Sequence, residues 1–267
     1  METSKSTSRT RRALLLAACT SLLGGACARA AGSDAAPGRE LRVVGTRFQR
    51  IYEPGPDGGM GGMGAELVRI IALQLGYTLR FEIYPWARAQ QMLKQGQADI
   101  LIGPYKSAER MLAMAFSSRA FFEDQLAFYA RTDSMIAWGG DYNALAGKRI
   151  VALNGWAYGA AFDQARPGLL LSVSNTVENG LNMLFHRRVD LFATDRRDTD
   201  PVVASLGMQG KVAVLAPLIT TEIAYLAFPK LAAFDELRTQ FDHVLNQLAA
   251  RGALQELGRR YGVSVPL

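Results

Sequence analysis

Few side chains in this 267-residue chain have the type and spacing to do chemistry. Arg110 follows Ala98-Asp-Ile-Leu-Ile-Gly-Pro-Tyr105, an apolar strand running into Gly-Pro, with Glu109 beside it. Asp195, Asp198 and Asp200 cluster behind a second apolar run, Val189 to Thr194. That acidic group lacks the spacing and the glycine of a calcium loop. His186 and His243 are the only histidines, far apart, with no HExxH and no cysteine near them, so neither a metal nor another cofactor is expected. GGMGGMG at 58–64 is not followed by Lys-Ser/Thr and reads as a turn, not a phosphate loop. Two plain structural readings stand for the remaining charges. Arg110 pairs with Glu109 or a neighbouring helix-surface acid, or Asp195 caps the helix that follows it.

The first thirty residues follow an export pattern. Lys5 to Arg12 form a basic n-region, Ala13 to Leu23 an apolar run too short to span a membrane, and Ala28-Arg29-Ala30 a small-x-small cleavage site. Thr10-Arg11-Arg12-Ala13-Leu14-Leu15 also fits a twin-arginine signal, so two export routes stay open. Leu23-Gly24-Gly25-Ala26-Cys27 is like a lipoprotein box with Gly24 out of pattern, which makes a lipid anchor at Cys27 the alternative to free release. Both cysteines, Cys19 and Cys27, lie here, so the mature chain has no disulfide or thiol chemistry. The net charge of +6 drops to +2 beyond residue 30, with 25 basic against 23 acidic residues, and no basic stripe interleaves with aromatics. Nucleic acid is not an expected partner. Residues 1–30 are read as a signal peptide and 31–40 as a linker.

The elements that must position these residues come as alternating strands and helices. Leu41–Thr46, Thr78–Tyr84, Ala98–Ile102 and Gln125–Arg131 read as strands. Between them, Gly62–Gly76 has apolar residues at helical spacing, and Trp86–Gln95 stops at Gly96. A second series follows, with strands at 148–153, 169–173, 189–194, 211–215 and 222–228, and helices at 158–164, 177–185 and 201–206. Helices at 231–250 and 253–261 close it. Two α/β units in a row, each with a mainly parallel sheet, are implied. Gln125–Arg131 and Glu222–Phe228 are the strands that could carry the chain between them.

Seven segments then resemble, in order, the extracellular solute-binding proteins of bacterial importers, family 3, the polar amino acid group. They are Leu41-Arg-Val-Val-Gly-Thr46; Gly62-Met-Gly-Ala-Glu-Leu-Val68; Pro85-Trp86 with Leu93-Lys-Gln-Gly-Gln-Ala-Asp99; Glu109-Arg110 with Phe116-Ser117; Ala146 to Gly155; Arg188 to Asp195; and Ala250 to Leu257 with Tyr261-Gly262. The resemblance covers about residues 41 to 263.

It implies an α/β, two-lobed periplasmic binding protein fold of type II with two crossover hinge strands. Lobe 1 would be 41–130 with 223–267, and lobe 2 would be 131–222. It implies a monomeric, non-enzymatic component of an ABC importer in the periplasm. Such a protein takes up an amino acid or related carboxylate by hinge closure and meets an inner-membrane permease transiently. A ligand-sensing receptor lobe is the alternative, and a cyclohexadienyl dehydratase-like enzyme a more distant one. Arg110 matches the family's arginine for ligand carboxylates, where its planar fork suits a two-oxygen acid. Asp195 matches the acid for the ligand's amino group. Gly103 and Tyr105 face the cleft beyond a strand's carboxyl end. Trp86, Phe48, Trp156 and Tyr158 are further candidates, with Gly155-Trp156-Ala157 adding backbone donors at a helix start. Tyr105 stands where the family often has Ser or Thr, and Trp156-Ala157 where it has a Thr/Ser pair, so the pocket is bulkier. Trp86 as core and Arg88 as a solvated helix residue are the competing readings, and Phe48 or Tyr52 stands where the family has an aromatic lid that could stack on ligand.

Overall fold

The computed structural model describes residues 38–56 and 58–266. The signal peptide, Cys27 and most of the proposed linker lie outside the described residues.

In the first lobe β1 (Glu40–Gly45) leads through a small ribbon, β2 (Glu53–Pro54) and β3 (Met60–Gly61), into α1 (Met63–Leu75). β4 (Thr78–Ile83), α2 (Trp86–Lys94), β5 (Ile100–Tyr105), α3 (Ala108–Ala113) and β6 (Met114–Phe116) follow. β7 (Phe122–Arg131) crosses to the second lobe: β8 (Arg149–Leu153), α4 (Ala160–Ala165), β9 (Leu170–Ser174), α5 (Val177–Phe185), β10 (Leu191–Asp195), α6 (Arg196–Ser205) and β11 (Val212–Val214). β12 (Thr220–Pro229) crosses back, and α7 (Asp235–Ala250) and α8 (Ala253–Tyr261) pack against α1.

The strand path is β4-β1-β5-β12-β7-β10-β8-β9. Each end is parallel, β4-β1-β5 in one lobe and β10-β8-β9 in the other, as α/β crossovers require. The middle is antiparallel. β7 and β12 pair with each other over Phe122–Leu126 and Thr220–Ala224. Beyond that stretch β7 pairs with β10 and β11, while β12 pairs with β5 and β6. Each ten-residue strand therefore spends half its length in the joint and half in one lobe's sheet.

The core follows the apolar periodicities. α1 buries Met63, Leu67, Val68, Ile71 and Ala72 on one stripe and stops at Gly76 with φ 76°, where only glycine is unstrained. In the second lobe Tyr129, Leu153, Leu181, Leu184, Phe192, Val202 and Val203 join α5 and α6 to their sheet.

Two local expectations change. β5 does not end at Ile102 but runs on to Tyr105, because Gly103-Pro104 form a bulge opposite β12. Gly103 takes φ 86° there, and Pro104 has no N–H to contribute to the ladder. The helix expected at 201–206 starts instead at Arg196, because the Asp195 carboxylate accepts from Asp198 N–H and caps it. The helix expected to open at Arg110 is α3, while the strands β2, β3 and β6, two or three residues long, carry no periodicity to separate them from loop.

Candidate functional site

Arg110 sits in the first turn of α3, which Ser107 caps by accepting from the Arg110 N–H at 3.2 Å. Its side chain turns back over the end of β5 and is 5% exposed. Nη1 donates to the Tyr105 carbonyl at 2.9 Å, and Nη2 to the Gly155 carbonyl of the other lobe at 2.8 Å. The guanidinium lies 5.7 Å from the centre of the Trp86 ring. Among the described residues no carboxylate comes within ion-pair distance of it, and the Glu109 pairing weighed from the sequence does not form. Burial pulls the Arg110 pKa below its ordinary value; Tyr105, Glu109, Glu222 and Asp163 oppose that only at longer range. A buried cation satisfied by neutral carbonyls is complementary to an anion.

Gly155 gives this contact its reach. Its carbonyl accepts from Arg110, from Trp86 Nε1 at 3.1 Å and from Gln90 Nε2 at 3.1 Å, so three first-lobe donors converge on one second-lobe oxygen. Gly155 holds φ 73°, and a Cβ there would meet Gln90 at 3.1 Å. Of the backbone donors expected at a helix start, one is spent and the helix itself begins later. The Trp156 N–H already donates to Leu153 O, and the next helix begins only at Ala160.

Aromatic rings wall the space around Arg110. Phe48 meets Trp86 edge-on at 5.2 Å and Trp156 at 5.7 Å, and Tyr105 meets Trp156 at 6.4 Å. Gly103 lets Phe48 lie close, since a Cβ there would touch that ring at 3.2 Å. With Ala157 these residues line a small chamber of about 10 Å³, room for a water at most. Larger clefts open on either side. One, of about 250 Å³, runs past Arg47, Thr176, Glu178 and Asp198; the other, of about 610 Å³, runs past Gln91, Asn154, Asp163 and Arg166. Trp156 borders all three spaces.

Beside the chamber lies a second buried guanidinium that the sequence did not single out. Arg197, in the first turn of α6, has a side chain 9% exposed. Nε and Nη2 grip the two oxygens of Asp124 at 2.8 Å each. Nη1 donates to Asp198 Oδ1 at 2.7 Å and to Gln49 O at 2.6 Å, and the Gln49 N–H donates to Asp198 at 2.7 Å. The guanidinium lies 5.3 Å from the Phe122 ring centre and 5.8 Å from that of Phe48. Tyr105 donates its hydroxyl to Asp124 Oδ2 at 2.7 Å. Burial alone would depress the Arg197 pKa; Asp124, Asp198 and Asp195 hold it up instead. Burial pushes Asp198 up to about 6 and raises Asp195 as well. One helix turn of the second lobe is thus tied to the joint strand β7 and to the loop after β1.

Six of the eight sequence candidates converge here: Phe48, Trp86, Gly103, Tyr105, Arg110 and Trp156. Asp195 does not line the chamber. It is fully buried behind Arg197, with Oδ1 on the helix cap and Oδ2 without a hydrogen-bond partner. Tyr158 faces the core of the second lobe, its hydroxyl accepting from Leu153 N–H at 2.7 Å and donating to Ala193 O at 2.9 Å. Tyr52 is core too, donating its hydroxyl within the first lobe, and Arg88 is exposed. The residues missed were Asp124, Asp198, Gln90 and Arg197. A signal for Arg197 existed: a cation in a helix's first turn runs against the helix dipole and needs a local reason.

Solved structures of similar shape include a histidine kinase sensor domain with similarity to periplasmic binding proteins (22% identity, TM-score 0.76, 86% of this chain and 99% of that one). They also include a mutant arginine-binding protein from T. maritima (20%, 0.70, 83% and 94%). A third is the substrate-binding protein of an ABC uptake transporter from Streptococcus pneumoniae with bound histidine (19%, 0.70, 83% and 92%). At these identities the likeness is one of fold, the two-lobed architecture described above. A sequence search of curated proteins returned no match. The family model of the bacterial extracellular solute-binding proteins, family 3, matches residues 46–264. The match runs from the loop after β1 to beyond α8 and takes in every residue of the chamber, and the chain belongs to that family of solute-binding proteins.

Proposed function

We propose that this protein is the exported solute-binding component of a bacterial ABC importer, and that it captures a small carboxylate-bearing solute between its lobes by hinge closure. The observation that carries the reading is Arg110: a buried guanidinium at the lobe junction, held by two carbonyls, with no carboxylate paired to it among the described residues. A solute carboxylate would replace the Gly155 carbonyl as the partner of the fork and bring compensating charge. The half-and-half pairing of β7 and β12 supports a hinge. On that pattern the proposed handover lies near Leu126 and Ala224, beside the boundaries at residues 130 and 223 expected from the sequence. Trp156, bordering the chamber and both outer clefts, is the side chain that would swing to admit the solute.

The membership and the export pattern together support a periplasmic protein, released near Ala31 or anchored by lipid at Cys27, meeting an inner-membrane permease as a monomer. No helix among the described residues is long and apolar enough to cross a membrane. The role proposed is binding rather than turnover, in line with a family of solute-binding proteins. Calorimetric titration of a solute panel into the protein, with Arg110→Ala in parallel, tests the reading. The variant should lose binding, and equal binding by both proteins removes the carboxylate assignment. The histidine kinase sensor domain among the similar structures favours one second reading, a ligand sensor. Co-purification with a permease or with a signalling partner separates the two.

A further inference from the structure

Resting on the carboxylate reading of Arg110, we propose that Arg197 sets the ligand class. It occupies the acidic end of the cleft as a built-in cation, so the solute taken at Arg110 is a carboxylate that lacks an ammonium group.

The chamber has one charged group on its wall, Arg110, and no carboxylate. Three acids that could receive an ammonium stand just beyond it, and each has at least one oxygen on a protein donor, while Asp195 Oδ2 has none. Asp124 has both oxygens on Arg197, and one of them also accepts from Tyr105. Asp198 Oδ1 accepts from Arg197 and from the Gln49 N–H. Asp195 Oδ1 caps α6, 3.9 Å from Arg197 Nη2, and the residue has no exposed surface. Arg197 itself is seated as a bound cation would be, forked on one carboxylate, bonded to a second, and near two aromatic rings.

An incoming ammonium meets two obstacles. It must displace a guanidinium held by four hydrogen bonds, or it must stay unpaired in an aromatic chamber beside Arg110. A buried cation without a partner is heavily penalised, and Arg110 adds like-charge repulsion. Trp86, the ring best suited to a cation, already faces Arg110. A carboxylate with an apolar body meets neither obstacle. Its charge goes to Arg110, and its body packs on Phe48, Trp86 and Trp156 in place of water.

The test is calorimetric titration of the full chain with matched pairs that differ only in the α-ammonium: propanoate against L-alanine, 4-methylpentanoate against L-leucine, and 3-phenylpropanoate against L-phenylalanine. The parent protein should bind the deaminated member of at least one pair tenfold or more tightly than its amino acid. Arg197→Ala, which frees Asp124 and Asp198, should move that ratio at least tenfold toward the amino acid. Millimolar methylguanidinium should raise the melting temperature of Arg197→Ala and not that of the parent. The parent measurement needs no variant, so misfolding of Arg197→Ala leaves the proposal exposed to refutation. Amino acids bound as tightly as their deaminated partners, or more tightly, overturn this inference and leave the carboxylate reading intact. An unchanged ratio in a folded Arg197→Ala overturns it too. No binding by either member of any pair overturns the carboxylate reading and this inference with it.

Discussion

Replacing Arg110 with alanine separates a binding residue from a structural one, and its size follows from the contacts. In the unliganded protein the guanidinium makes two hydrogen bonds, to Tyr105 O and Gly155 O. Bonds from a charged donor contribute about 1.5–3 kcal/mol each. Against that stands the cost of keeping the ion out of water, several kcal/mol for a group this buried, with no carboxylate to offset it. The two effects nearly cancel, so Arg110→Ala should change unliganded stability by about 1–2 kcal/mol at most. For a domain of this size that is a melting shift of roughly 2–8 °C. In the complex the balance differs. The solute's carboxylate loses its only cation in a closed, aromatic chamber, at a cost of about 2–5 kcal/mol. That corresponds to roughly 30- to several-thousand-fold in affinity. Thermal melts without ligand, together with calorimetry using the tightest carboxylate of the panel, read both numbers. Arg110→Lys should recover only part of the affinity, since an ammonium lacks the planar fork. A variant that melts more than about 15 °C lower, or that binds within threefold of the parent, would falsify the reasoning.

Asp198 supplies a pH prediction. Burial raises its pKa to about 6 in the folded protein, above the ordinary carboxylate value, so the folded state holds a proton that the unfolded state releases. Its stabilising contribution is complete below about pH 4 and lost as pH rises through about 6; chemical denaturation across that window should show the decline, and Asp198→Asn should lessen it, the raised Asp195 supplying the remainder. Gly103→Val forces a branched residue to φ 86° and its Cβ toward Phe48; a loss of about 1–3 kcal/mol is expected, and a melt within 1 °C of the parent would mean β5 relaxes freely. Hinge closure predicts a smaller radius of gyration in solution scattering at saturating solute, and identical profiles count against it. Intact-mass analysis of the exported product should give an N-terminus near Ala31 or a lipidated Cys27; a cytosolic chain retaining residues 1–30 contradicts export.

Much of the fold was legible because its signals are local. α5 was read as 177–185 and is capped by Thr176, as the Thr-x-x-Asn spacing allows. The two crossover strands were read by their position between two α/β series, but each proved longer. Their pairing with each other, at Phe122–Leu126 and Thr220–Ala224, is a contact between residues about a hundred positions apart, and no period records it. Arg110 was legible from its place after a strand's end. What it touches was not, because its main partner is the carbonyl of Gly155, and a backbone oxygen leaves no mark in a sequence. Asp195 shows the converse. Its position matched a ligand-binding acid, yet the same carboxylate suits a helix cap, and the choice depends on Arg197 lying in front of it. Tyr158 was expected at the cleft because it follows Trp156 closely. The expected helix begins two residues later than read, and the intervening turn sends the phenol into the core.

The most direct test of the central claim is the crystal structure of the protein with the tightest carboxylate from the titrations. The account predicts the ligand between the lobes, its two oxygens within hydrogen-bond distance of the Arg110 guanidinium, Trp156 moved aside, and Arg197 still forked on Asp124. A ligand seated elsewhere, with Arg110 still donating to the Gly155 carbonyl, would contradict it.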